Sequence, residues 1–144
     1  MRRLAVTTVL LLALAGLSGA GPAGAKSPPG FAGCNDSHPR VRPHSILVAC
    51  GDGNFFLRHM RWSHWTQRSA AGGGTGHQND CDPDCAHGHF HRYRVAVRLS
   101  RPRTCTNGRR EFTHFTYAFI GRKPKGVRRR ATLKSPFYLG TGCP

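Results

Sequence analysis

In 144 residues the chain places 22 lysines and arginines against six acidic residues, a formal charge of +16 with histidines neutral. That length holds one domain with a modest core, and a field of that sign favours anionic partners: nucleic acid, acidic lipid, or the polyanions of a cell wall or matrix. There is no Gly-x-Ser-x-Gly, no His-Glu-x-x-His, and no glycine-rich loop carrying the lysine and hydroxyl that cradle a phosphate, which excludes the enzyme classes built on those motifs.

Residues 1–25 read as a secretory signal peptide. Arg2 and Arg3 precede an apolar run over 4–20, and Ala23-Gly24-Ala25 supplies a small-x-small cleavage site. This predicts a secreted, extracellular chain with no membrane span in its mature part. The even count of six cysteines in an oxidising compartment then predicts disulfides. Cys34, Cys50, Cys81, Cys85, Cys105 and Cys143 all lie beyond residue 25, as do all the basic residues except Arg2 and Arg3. Spacing does not choose the pairing: Cys81 and Cys85 bond either to each other or each to a distant strand, with Cys50 the favoured distant partner of Cys85.

Residues 26–44 hold Pro28, Pro29, Pro39 and Pro43 with several glycines and no hydrophobic period, which predicts a linker-like arm tied down at Cys34. Residues 45–144 then form a single disulfide-bonded domain. Its first hairpin joins strands over 45–50 and 55–62 through the turn Gly51-Asp52-Gly53-Asn54. In the second of these strands Phe56, Met60 and Trp62 share a side with Arg58, while Phe55 and Leu57 share the other with His59 and Arg61, so alternation does not say which side is buried. The glycine-rich run 70–76 reads as a flexible part of a long loop over 63–88. Strand 89–100 alternates cleanly, with Tyr93, Val95, Val97 and Leu99 opposite Arg92, Arg94 and Arg98, and Pro102 stops it. Strand 111–120 sets Phe115, Tyr117 and Phe119 opposite His114, Thr116 and Ala118. Short strands are expected at 131–133 and 137–139. No stretch has a helical period, so the fold class is all-β: a small antiparallel β-sandwich or barrel stapled by disulfides, with long loops.

Two cysteines, three carboxylates and three histidines crowd into 79–91. Cys81-Asp82-Pro83-Asp84-Cys85 reads as a pinned turn, because Pro83 fixes its own φ and pushes Asp82 to an extended conformation. His89 and His91, two apart on a strand, project to one side; with His87, or with a carboxylate from Asp80, Asp82 or Asp84, they form a candidate set for zinc or copper. The competing reading is of histidines at a sheet rim that pack against aromatics and need no cofactor. Calcium is disfavoured by the lack of a looped ligand spacing.

The order Ile46-x-x-x-Cys50, Trp62-x-x-Trp65, Ala71 among glycines, Asn79-x-Cys81-x-Pro83-x-Cys85-Ala86-x-Gly88, then an aromatic and a Val-x-Val strand, resembles small exported proteins of high-GC Gram-positive bacteria over about residues 45–120. The resemblance implies export and a shared fold and carries no activity. His87, His89 and His91 are not part of that pattern.

The candidate polyanion-binding residues are Arg92, Arg94 and Arg98 on one strand face and Arg122, Lys123, Lys125, Arg128, Arg129 and Arg130 downstream. Trp62, Trp65 and Phe90 stand near basic residues and could stack on bases, or could serve as packing residues. No catalytic residue is assigned, although a hydrolase such as a nuclease could draw on His91 or His114 with Glu111 and an arginine. The expected function is that of a secreted cationic protein that binds anionic polymers or the cell envelope. A metal-binding protein and a small secreted hydrolase are the alternatives.

Overall fold

Alternating runs joined by short turns build one sheet. A computed structural model describes residues 26–134 apart from 35, 37 and 107. Residues 1–25, expected to be a signal peptide, Cys143 and the strand expected at 137–139 lie outside the described residues. Six strands follow one another as a meander: β1 (Ile46–Leu47), β2 (Phe55–Trp65), β3 (Ala70–Asn79), β4 (Phe90–Thr104), β5 (Arg110–Ile120) and β6 (Arg130–Lys134). Their order in the sheet is their order in the chain, every neighbouring pair is antiparallel, and the described residues contain no helix. The sheet curls into a half-barrel stapled by disulfides, so the all-β expectation holds, and among the described residues the architecture is a single curled sheet with no second one facing it.

The concave side is the core. Register aligns Val95, Val97 and Leu99 of β4 with Phe119, Tyr117 and Phe115 of β5, and the two valines, Leu99 and both phenylalanines are buried. The mixed pattern of β2 has a structural cause. The β2–β3 register slips by one residue between Arg58 and Arg61 and again between Trp62 and His64, and His59 at the first slip has φ of 52°. Each extra residue reverses the alternation. The buried series therefore runs Phe55, Leu57, then Met60, then Trp65, with Trp62 packed against it.

The run 70–76, expected to be a flexible loop, is the strand that this bulged β2 requires. A Cβ on Gly72 would sit 2.4 Å from the Arg61 carbonyl oxygen and 3.0 Å from the Trp62 ring; one on Gly74 would sit 2.6 Å from Met60 Sδ. Bulged backbone and large side chains press onto β3, and only a strand without side chains there lets the two approach. Pro102 does not end β4 either. Beyond Leu99, which pairs with Ala70 at the start of β3, β4 has only β5 beside it, and Pro102 pairs with Phe112. A residue lacking an N–H is tolerated on such an edge.

The arm over 26–44 is not a linker. Gly30 bridges Glu111 in parallel, with Gly30 N donating to Arg110 O and Phe112 N donating to Gly30 O at 2.9 Å each. Phe31 is buried and stacks on Phe115 with ring centroids 5.4 Å apart; burying such a ring contributes about 1.5–3 kcal/mol. Trp62 Nε1 donates to Pro43 O at 3.0 Å and Trp65 Nε1 to Pro29 O at 2.8 Å. Both tryptophans thus fasten the arm over the core.

Two disulfides join Cys34 to Cys50 and Cys81 to Cys85, so the distant pairing of Cys85 with Cys50 is wrong. Cys34 ties the arm to the turn after β1, and Cys85 closes its own short loop. Cys105 is disulfide-bonded as well.

Candidate functional site: a basic convex face and a carboxylate-rich turn

Because side chains alternate across a strand, the arginines opposite the core share the convex face. Register builds that face in rows that cross the strands. One row runs Arg61, Gly73, Ala96, Ala118, Arg130, which places three of the smallest residues between two guanidinium groups. Neighbouring strands lie about 4.8 Å apart, so the row spans roughly 19 Å. The row on one side holds Arg58, Thr75, Arg94 and Ile120; the row on the other holds Ala71, Arg98, Thr116 and Thr132. The result is a low floor of small side chains ringed by cations.

All six acidic side chains fall among the described residues; five of them are engaged elsewhere, and Asp82 is exposed in the β3–β4 connection. Asp36 pairs with Arg40, Asp84 with His87 and Asp80 with His91. Asp52 Oδ1 accepts from Asn54 N in the first hairpin turn, and Glu111 is buried beneath the arm. None of Arg61, Arg92, Arg94, Arg98 or Arg130 meets a carboxylate among the described residues. His77 lies beside Arg92 on this face. Its imidazole is held below the usual range by burial first, then by Arg92, Arg58 and His59.

Of the nine basic residues read from sequence, Arg92, Arg94, Arg98 and Arg130 are exposed on this face. The others lie in the β5–β6 turn. There Arg129 Nη1 donates to Phe119 O and Gly121 O, and Lys123 Nζ donates to Pro124 O and Val127 O, so both fold the turn on itself. Arg122, Lys125 and Arg128 are exposed in that turn. Arg58, Arg61 and Lys134 belong to the face and were missed. The bulges of β2 hid the first two, and Lys134 needed the β5–β6 register, which pairs it with His114.

The β3–β4 connection is the opposite kind of surface. Asn79, buried at the end of β3, donates from Nδ2 to Asn54 Oδ1 at 2.9 Å and to Cys85 O at 2.8 Å, and its Oδ1 accepts from Cys81 N at 3.1 Å. A Cβ on Gly88 would lie 2.2 Å from that same Oδ1. Asp84 Oδ1 accepts from Ala86 N and His87 N at 2.9 Å each. Asn79, the cysteine pair and Gly88 are thus framework residues, each with a part in closing the turn.

The histidines do not converge. His87 Nδ1 contacts Asp84 and His91 Nε2 contacts Asp80 at 2.7 Å, while His89 precedes β4 and offers its backbone N–H to Asp80 Oδ1 at 2.8 Å. No group of three or more histidine, cysteine, aspartate or glutamate side chains among the described residues could hold a metal ion. The set His87, His89, His91 and Asp84 is therefore divided between two carboxylates. Hydrogen bonds from His89 N and then His91 hold the Asp80 carboxyl down at about 2. A cleft of about 480 Å³ opens beside this pair, lined by Gln78, Asp80, Asp82, His91, Tyr93 and Lys125 among others. His114 instead turns to Thr113 Oγ1 at 3.1 Å and is held below its usual range by burial, then by Arg101, Lys134 and Arg103.

The chain matches no protein-family model, no curated protein and no solved structure.

Proposed function

We propose that this is an exported, disulfide-stapled protein that binds anionic polymers or the anionic surface of a cell envelope through the convex face of its sheet. The observation that carries the reading is the set of arginines on that face that meet no carboxylate among the described residues. Each guanidinium is kept apart from the chain's few carboxylates and is already exposed, so an incoming sulfate, phosphate or carboxylate displaces only water and counterions. The disulfides fit an oxidising compartment, where such polymers are found.

The test is retention on immobilised heparin and binding to oligonucleotides as salt is raised. The affinity should fall linearly in log–log form, and Arg94→Gln with Arg98→Gln should flatten the slope by roughly 1.4 to 1.8. Binding that ignores salt, or a slope that the double variant leaves unchanged, would remove this reading.

A second reading, a small hydrolase, draws on the Asp80–His91 contact. Asp80 holds His91 through Nε2, which leaves Nδ1 to take a proton, and Lys125 lines the same cleft as a cation for developing phosphoryl charge. Cleavage of RNA in chelator, lost in His91→Ala, is its expected signature. An absence of turnover above background would dispose of it.

A further inference from the structure

One end of the convex face is aromatic. Phe56 of β2 stacks on His77 of β3 with ring centroids 4.8 Å apart and planes at 10°, and Phe90 of β4 packs on Phe56 at 5.3 Å and 50°. The Arg58 guanidinium lies over the Phe56 ring, 5.0 Å from its centroid. Register completes the group: Phe56, His77 and Arg92 form one row, and Arg58, Thr75 and Arg94 form the next. Three rings and three guanidinium groups therefore share one patch. Phe90 is 47% exposed and, with Ile120 at 45% on the same face, is one of three large hydrophobic side chains left open to water among the described residues.

A phenylalanine gains nothing from water, and a patch made only to bind sulfate or phosphate needs no ring. Apolar surface set among cations marks a partner that offers both a flat apolar face and a negative charge. Unpaired nucleobases on a phosphodiester chain do so. A base inside a duplex is covered on both sides by its neighbours and has no free face, whereas a single strand can lay a base on Phe90. Phe90, Arg92 and Arg94 point the same way along β4 at every second residue, about 6.7 Å per step. A base on Phe90 thus carries its backbone past Arg92 and Arg94 toward the floor of small residues.

We infer that the Phe56–His77–Phe90 cluster, with Arg58, Arg92 and Arg94, is a stacking site for the bases of single-stranded nucleic acid. This rests on the polyanion reading and narrows it to a chemical class. Trp62 and Trp65, which sequence also offered for stacking, are occupied with the arm.

Fluorescence anisotropy on the full chain, at constant moderate salt, tests it with four probes: a single-stranded dodecamer of thymidine, an abasic dodecamer of the same charge, a duplex, and vesicles of phosphatidylserine. The wild type should bind the base-bearing strand roughly 5- to 100-fold more tightly than the abasic one. Phe90→Leu, which keeps an apolar cover over Phe56 but has no π face, and Phe90→Ala should both abolish that preference while leaving the salt slope unchanged. Equal affinity for the base-bearing and abasic strands in the wild type would overturn the stacking site and leave the polyanion reading intact. So would a preference that survives in Phe90→Leu, or a preference for the vesicles over the single strand. Failure to bind any of the four would sink both.

Discussion

The β3–β4 turn and the convex face of the sheet are both exposed and polar, and they dispose of their polar groups in opposite ways. In the turn, Asn79 has all three hydrogen bonds described above, Asp80 holds the His89 N–H and the His91 ring, and Asp84 holds two N–H groups and the His87 ring. On the face, a run of arginines stands over glycine, alanine and threonine with no carboxylate in reach among the described residues. Polar groups that satisfy one another build the fold, and charge held apart from its complement is available to something else. The most reactive-looking stretch of the sequence is thus mostly architecture, and the plainest strand carries the better claim to a ligand.

Substitutions should separate the two regions, and the largest effect is expected on the face. Arg61→Gln, Arg94→Gln, Arg98→Gln and Arg130→Gln together should weaken heparin binding by roughly 10²- to 10³-fold at low salt, with each change moving stability by no more than about 0.5 kcal/mol. Titration and urea unfolding on the same variant check both halves; a protein that unfolds would show these arginines to be structural and erase the contrast. Next in size are the disulfides. Replacing Cys34 and Cys50 by alanine should cost about 3 kcal/mol, and replacing Cys81 and Cys85 about 2 kcal/mol, because the second loop is shorter. Neither should change the salt slope. Asn79→Ala follows at about 1–3 kcal/mol, since it strips partners from Asn54, Cys81 and Cys85 at a buried position. A loss of binding equal to the loss of stability in any turn variant would join the two regions again.

Where alternation was undisturbed, sequence was enough: β4 from Tyr93 to Leu99 and β5 from Phe115 to Phe119 lie as their period of two requires. It failed where a residue's meaning depends on a distant neighbour. A bulge leaves no mark of its own in β2, so Arg58 and Arg61 could not be placed on a face. Glycines at 72 and 74 look like a flexible loop until Arg61 and Met60 are set against them. Phe31 looks like an isolated ring in a proline-rich arm until the Gly30 bridge lays it on Phe115. The candidate site was legible in part: Arg92, Arg94 and Arg98 could be read from one strand, whereas Arg61 and Arg130 enter the same row only through a register that spans five strands. The histidine spacing offered a metal set beside a rim-packing alternative and could not choose between them, because convergence depends on where the strand starts, and β4 begins only at Phe90, after His89.

The smallest effect, and the one that reads the two regions in a single experiment, is the dependence of stability on pH. His77 on the face is held below its ordinary 6.5 by burial and then by the neighbouring Arg92, Arg58 and His59. The unfolded chain therefore takes up that proton first as the solution is acidified. The stabilisation that His77 gives is complete above 6.5 and is lost as pH falls below it. Asp80 in the turn is depressed from 3.8 to about 2, mainly by the His89 N–H and the His91 ring, so its contribution persists above 3.8 and is lost only as pH falls through about 2. Unfolding free energy followed from pH 8 to pH 2 should then decline in two separate steps. His77→Gln should shrink the upper step, leaving the share of His114, which is depressed in the same sense, and Asp80→Asn should remove part of the lower one. A saturating polyanion supplies negative charge next to Arg58 and Arg92, which offsets their repulsion of a protonated His77. It should therefore diminish the upper step and spare the lower. If the polyanion acts equally on both steps, its binding is not confined to the face.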